Sequence, residues 1–146
     1  MKIIKIAFTF FLLQIALSFA PPQTGKLVIE IYGFKNNEGE ADLKLYESAN
    51  GFPEDESKAV KHIRAKISDN KCIFTFENLN YGSYGFIVYH DENDDKKFNK
   101  VWYGKPVEAT VVSNYAKGFM KAPSFDDAKF IFDSPVKFIS LKIHNF

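Results

Sequence analysis

The chain has 146 residues, 46% of them hydrophobic and 16% aromatic, with a formal net charge of +1 and a single cysteine. That length supports one domain with a core of its own. The near-neutral balance, with both signs spread along the chain, excludes the electrostatic footprint of a nucleic-acid or anionic-membrane binder.

Met1 to Ala20 reads as a secretory signal, with Lys2 and Lys5 as a basic start and Ile6 to Phe19 as an apolar run broken only by Thr9, Gln14 and Ser18. The run is short for a membrane span. Small residues place cleavage after Ala20 or, because Pro21 would follow that cut directly, after Ser18. Residues 21–146 then form a single secreted or periplasmic domain with a net charge of about −1 and no membrane span. Cys72 rules out an internal disulfide, and its alternation with Phe74 and Phe76 predicts a core thiol.

Lys26 to Tyr32 predicts the first strand, with Leu27, Ile29 and Ile31 on one face. Asn36-Asn37-Glu38-Gly39 predicts a hairpin turn into Ala41 to Glu47, whose Leu43 and Leu45 face the same way. Asn50-Gly51-Phe52-Pro53 is a loop. Val60 to Ile67 predicts a strand with Ile63, Ala65 and Ile67 inward and His62, Arg64 and Lys66 toward solvent. Ser68-Asp69-Asn70 turns into Cys72 to Glu77, and a corner at Leu79 to Tyr84 leads into the strand Tyr84 to His90. Lys100 to Lys129 shows no sustained period, apart from one helical turn at Phe125 to Ala128 capped by Ser124. Lys129 to Phe132 and Val136 to Ile143 close the domain as strands. The sum is an all-β, antiparallel sandwich of about seven strands with one long irregular segment.

The corner Leu79-x-x-Gly82-x-Tyr84 resembles the edge found in transthyretin-like and collagen-adhesin B-type sandwiches, so a transthyretin-like or immunoglobulin-like topology is expected. More specific elements follow in order: Leu45-Tyr46-x-Ser48, Gly51-Phe52-Pro53, His90-Asp91-Glu92-Asn93, Gly104-x-Pro106-x-Glu108, Ser113-Asn114-x-Ala116 and Pro123-Ser124-Phe125-x-x-Ala128-x-Phe130. Together they are similar to a secreted bacterial family known as domain of unknown function 2141, from about Leu27 to about Ile143. The resemblance implies a β-sandwich and export, and brings no activity with it. The chain departs from the family in carrying Asp94 and Lys96 where glycines are usual, and Asn99 where an aspartate is usual. Ala109 and Val112 likewise replace a glycine and an aromatic.

Asp91, Asn93 and Asp95 place oxygen ligands at alternate positions, the spacing with which a calcium loop begins, and the Lys97 carbonyl and Asn99 amide extend the series. An EF-hand wants glycine at the sixth position and glutamate at the twelfth, where this chain has Lys96 and Trp102; Glu92 or Glu108 could complete a site of another kind, but the sequence alone does not bring them there. The competing reading is a solvated acidic turn. No His-x-His or His-Glu-x-x-His spacing points to zinc. Ser113, His90 and Glu108 can be imagined as a triad, and Glu108 with Asp126 as a glycosidase pair, but no nucleophile elbow accompanies either. Trp102, Tyr103, Tyr115, Phe119 and Phe125 offer either an exposed platform for a sugar or protein ligand, or a lid over the core.

The expectation is therefore an exported, monomeric, non-catalytic binding module. Asp91, Asn93, Asp95 and Asn99 are its candidate calcium ligands. His90, Trp102, Tyr103, Glu108, Ser113, Asn114, Tyr115 and Phe125 form its candidate ligand face. The alternative is a small secreted hydrolase using His90 with an acid or serine from residues 91–130; a purely structural envelope protein is a third.

Overall fold

The computed structural model describes residues 23–99, 107–118 and 121–145. The expected signal segment lies outside them, as do Trp102, Tyr103 and Phe119. The described residues form a β-sandwich of two sheets. The strands are β1 (Thr24–Tyr32), β2 (Glu40–Tyr46), β3 (Lys61–Lys66), β4 (Lys71–Asn80), β5 (Gly82–Asp91), β6 (Thr110–Val112), β7 (Phe130–Phe132) and β8 (Val136–Lys142). One helical turn, α1 (Phe125–Ala128), has Ser124 as its cap, as its sequence predicts; the Ser124 hydroxyl accepts from the Asp127 amide.

The first sheet has the order β4-β1-β8, and the second β3-β2-β5-β6, with β7 pairing the start of β5. Leu27, Ile29 and Ile31 of β1 meet Leu43 and Leu45 of β2, Phe74 and Phe76 of β4, and Phe86 and Val88 of β5 in the core between the sheets. Each such fully buried side chain contributes roughly 1.5–3 kcal/mol. Cys72 belongs to this core, and burial pushes its thiol pKa up to about 12.

Three expectations are corrected. β1 and β2 are not hairpin partners: residues 33–39 carry the chain from one sheet to the other, so the shared inward face of Leu27 and Leu43 arises across the sandwich rather than along a hairpin. The sandwich is not wholly antiparallel, because β8 runs parallel to β1. Thr110–Val112, in the segment without a readable period, adds an eighth strand, pairing with Ile87–Tyr89.

The outer face of the second sheet is also covered. Tyr46, Ile87, Val112, Phe125 and Ala128 form a second apolar cluster with Phe52 against it, so β2 and β5 are buried on both faces. Thr110 and His144 exchange backbone hydrogen bonds of 3.0 and 3.1 Å, joining the second sheet to the chain just past β8. Gly39 stands at the start of β2 with φ +61, and a Cβ there would fall 1.9 Å from the Asp91 carbonyl oxygen. Glycine thus permits the close approach that seats the end of β5.

Candidate functional site

β5 ends at Asp91, whose side chain is fully buried. Residues 91–99 then fold back by a chain of side-chain-to-backbone hydrogen bonds. The Asp95 amide donates to Asp91 Oδ1 and Asn93 Oδ1, both at 3.1 Å; the Lys96 amide donates to Asp91 Oδ2 at 2.9 Å; the Lys97 amide donates to Asp95 Oδ1 at 2.9 Å. Short Asx side chains hold such turns because their oxygens reach amides two residues on. Asp94 and Lys96 take left-handed backbone, with φ 53 and 62.

That curl brings Asp91, Asp95 and Glu108 together: one carboxylate oxygen from each lies within 4.8 Å of the others. Asn99 bridges two of them. Its amide Nδ2 donates to Asp95 Oδ2 at 2.9 Å and to Glu108 Oε1 at 3.1 Å, and its backbone amide donates to Glu108 Oε2 at 3.1 Å. Burial pushes the Glu108 carboxyl pKa up, with Asp91 and Asp95 adding to the shift against the Asn99 hydrogen bonds. Asp95 is shifted down instead, chiefly by its hydrogen bond from Asn99. Asp91, Asn93, Asp95 and Asn99 thus share one locus, and Glu108, expected on the ligand face, joins them. Hard oxygen donors in this density suit Ca²⁺.

Arg64 anchors the cluster from below. The sheet register sets Arg64, Asp42 and Tyr89 side by side on three strands, with Glu40 and Asp91 in the next row. Arg64 Nη2 lies 2.7 Å from Asp91 Oδ2 and 3.0 Å from Asp94 Oδ1; Nε lies 2.8 Å from Glu40, and Nη1 lies 3.3 Å from Asp42. Asp42 is 1% exposed and also receives the Tyr89 hydroxyl at 2.9 Å and His62 Nε2 at 2.8 Å. Burial opposes the Arg64 charge, but the hydrogen bonds to Glu40 and Asp91 outweigh it and raise the pKa. Arg64, expected to point to solvent, lies on the outer face of the second sheet but is only 19% exposed, because the 91–99 loop closes over it, with Phe98 packed on the Tyr89 ring at 5.0 Å. Nothing in the sequence marks Arg64, Asp42 or Tyr89 as a unit.

Of the other expected site residues, His90 lines a cavity together with Asn93, Asn99 and Glu108, and the rest lie elsewhere. His90 is buried, and its Nε2 donates to the Glu38 carbonyl at 2.7 Å. Ser113 is buried too: its hydroxyl donates to the Ala128 carbonyl at 2.7 Å and accepts from the Phe86 amide at 2.9 Å. Asn114 spends its amide on the Ala128 and Lys129 carbonyls, at 3.2 and 2.8 Å. Phe125 lies in the second apolar cluster, edge-on to Phe52. Tyr115 remains exposed, its hydroxyl accepting from the Lys142 amide at 2.9 Å. Ser113, His90 and Glu108 are therefore engaged with three different sets of partners, and no triad is assembled.

No helix among the described residues is long and apolar enough to cross a membrane. No curated protein and no solved structure matches the chain. Residues 29–139, most of the sequence, match the family described as "Uncharacterized protein conserved in bacteria (DUF2141)", and the protein belongs to that family.

Proposed function

We propose that the protein is an exported, non-catalytic binding module whose loop at residues 91–99, with Glu108, takes a calcium ion. The observation that carries this reading is the convergence of Asp91, Asp95 and Glu108 within 4.8 Å. It occurs on a loop whose backbone is wired to the same side chains. Asn93 and Asn99 add amide oxygens: a half-turn of the Asn99 amide exchanges Nδ2 for Oδ1 at the point between Asp95 and Glu108. Arg64 offsets one of the three carboxylate charges, which favours the modest affinity of extracellular calcium modules, roughly 10⁻⁴–10⁻³ M. The apolar N-terminal run of the sequence supports export.

Binding is favoured over hydrolysis because His90 and Ser113 direct their polar atoms at backbone groups. The test is the thermal midpoint in chelator and in about 10 mM Ca²⁺, for the wild type and for Asp95→Ala/Glu108→Gln, which leaves the Asp91–Arg64 pair intact. A ligand at a hundred times its Kd stabilises by about 2.7 kcal/mol. A rise that the double variant loses supports the site; no rise, or an equal rise in both proteins, refutes it.

A further inference from the structure

The outer face of the three-stranded sheet lies on the far side of the sandwich from the calcium locus. Its rows are set by register: Glu77, Lys26 and Val136 lie at one end, followed by Thr75-Val28-Phe138, then Ile73-Glu30-Ser140, and finally Lys71-Tyr32-Lys142. Ile73, Phe138 and Val136 are 58%, 61% and 63% exposed, and Tyr32 37%. Isolated apolar side chains on a surface are ordinary, but a contiguous set on a flat sheet marks an interaction surface.

The charges on this face are unevenly matched. Glu77 is paired with Lys26 at 2.7 Å, and Glu30 accepts from the Ser140 hydroxyl at 2.8 Å. Lys71 and Lys142, on either side of Tyr32, form no ion pair among the described residues. The Lys142 stem lies along Gly33, where any Cβ would come within 3.0 Å of it, so Lys142 keeps its place beside Tyr32.

We infer that this face docks a protein segment that is both apolar and acidic. Its apolar side chains cover Ile73, Val28 and Phe138, and its carboxylates meet Lys71 and Lys142. A second copy of the chain fits less well, because it would bring only Glu30 and Glu77, both already engaged. An anionic membrane would find no long-range attraction in an exported domain of net charge about −1.

The probe is a synthetic peptide, Val-Ser-Phe-Ser-Val-Glu-Glu-Glu, whose apolar side chains share one face and whose carboxylates cluster at one end, with Val-Ser-Phe-Ser-Val-Lys-Lys-Lys as its counterpart. Both are titrated into the protein while backbone amide shifts and fluorescence anisotropy are followed. The acidic peptide is expected to move amides in residues 26–32, 71–77 and 136–142. Lys71→Glu/Lys142→Glu should weaken it at least about tenfold, roughly 1.4 kcal/mol, and reverse the preference toward the basic peptide. An unchanged melting temperature of the variant shows that the sheet is intact. The inference is overturned if the acidic peptide leaves these amides unmoved, or if the variant binds it equally well. It is also overturned if the protein self-associates through this face at the titration concentration, or if phosphatidylserine vesicles perturb these amides while the peptide does not.

Discussion

Replacing Arg64 with Gln tests whether the 91–99 loop is held by charge as well as by its turns. The guanidinium serves four carboxylates, two of which, Asp42 and Asp91, are 1% and 0% exposed. Removing one partner of a buried ion pair costs about 3–5 kcal/mol, because the remaining charge is left uncompensated. Here part of that loss is cushioned: Asp42 keeps the Tyr89 hydroxyl and His62, and Asp91 keeps the amides of Asp95 and Lys96. The expected loss is therefore near the lower end, about 3 kcal/mol, read from urea unfolding at pH 7 in chelator with an unchanged m-value. Asp91→Asn removes the charge that Arg64 compensates, so the double variant should be more stable than the sum of the single losses allows, by roughly 1–3 kcal/mol. A loss below about 1 kcal/mol, or strict additivity, would refute the hub.

Ser113→Ala should cost about 1–3 kcal/mol by taking from the Phe86 amide the side-chain oxygen it donates to, while the Ala128 carbonyl keeps the Asn114 amide, and should leave any calcium-induced shift in melting point unchanged. Cys72, with its thiol pKa pushed up to about 12 by burial, should resist iodoacetamide at pH 8 in the folded protein and react fully in denaturant. Glu108 has a folded pKa raised by burial. Its protonated form thus favours the fold, a contribution present below the ordinary glutamate pKa and lost as pH rises through the raised one. The same proton competes with a cation, so calorimetric calcium affinity should weaken as pH falls through that raised value, a dependence that Glu108→Gln removes.

The inward faces of the strands are readable because apolar residues alternate there: Leu27, Ile29 and Ile31, then Leu43 and Leu45, then Phe74 and Phe76. Which sheet each strand joins is not readable, since alternation looks the same whether the partner is a hairpin neighbour or lies across the core; hence the misplaced β1–β2 pairing. Asp42 and Lys44 alternate with Leu43 and Leu45 in β2, yet both are buried, because residues outside the sheet cover its outer face. The curl of the acidic loop was legible from the alternate spacing of Asp91, Asn93 and Asp95, whose oxygens accept from backbone amides further along. Glu92 and Glu108 could both be named from the sequence as residues to complete a site there, but only the fold shows that Glu108 is the one brought to Asn99. Ser113 and Asn114 carry the chemistry of a site but are used to satisfy backbone groups around α1, a demand visible only once the chain has folded.

The family resemblance noted glycines where this chain has Asp94 and Lys96, and these are the two loop residues with positive φ. An L-residue in left-handed backbone costs roughly 1–2 kcal/mol, against about 0.5–1 kcal/mol of extra chain entropy for glycine. Aspartate lessens that cost by local hydrogen bonding, whereas the Lys96 side chain has no such means. Its amide to Asp91 Oδ2 stays available to either residue. Lys96→Gly should therefore stabilise the protein in chelator by about 0.5–1 kcal/mol. It also removes a positive charge close to Asp91 and Asp95, so calcium should bind more tightly, with a gain that shrinks as salt is added. Urea unfolding and calcium titration at two ionic strengths separate the effects. A less stable variant would show that the Lys96 backbone is not strained, and weaker calcium binding would show that the cation is not held by this loop.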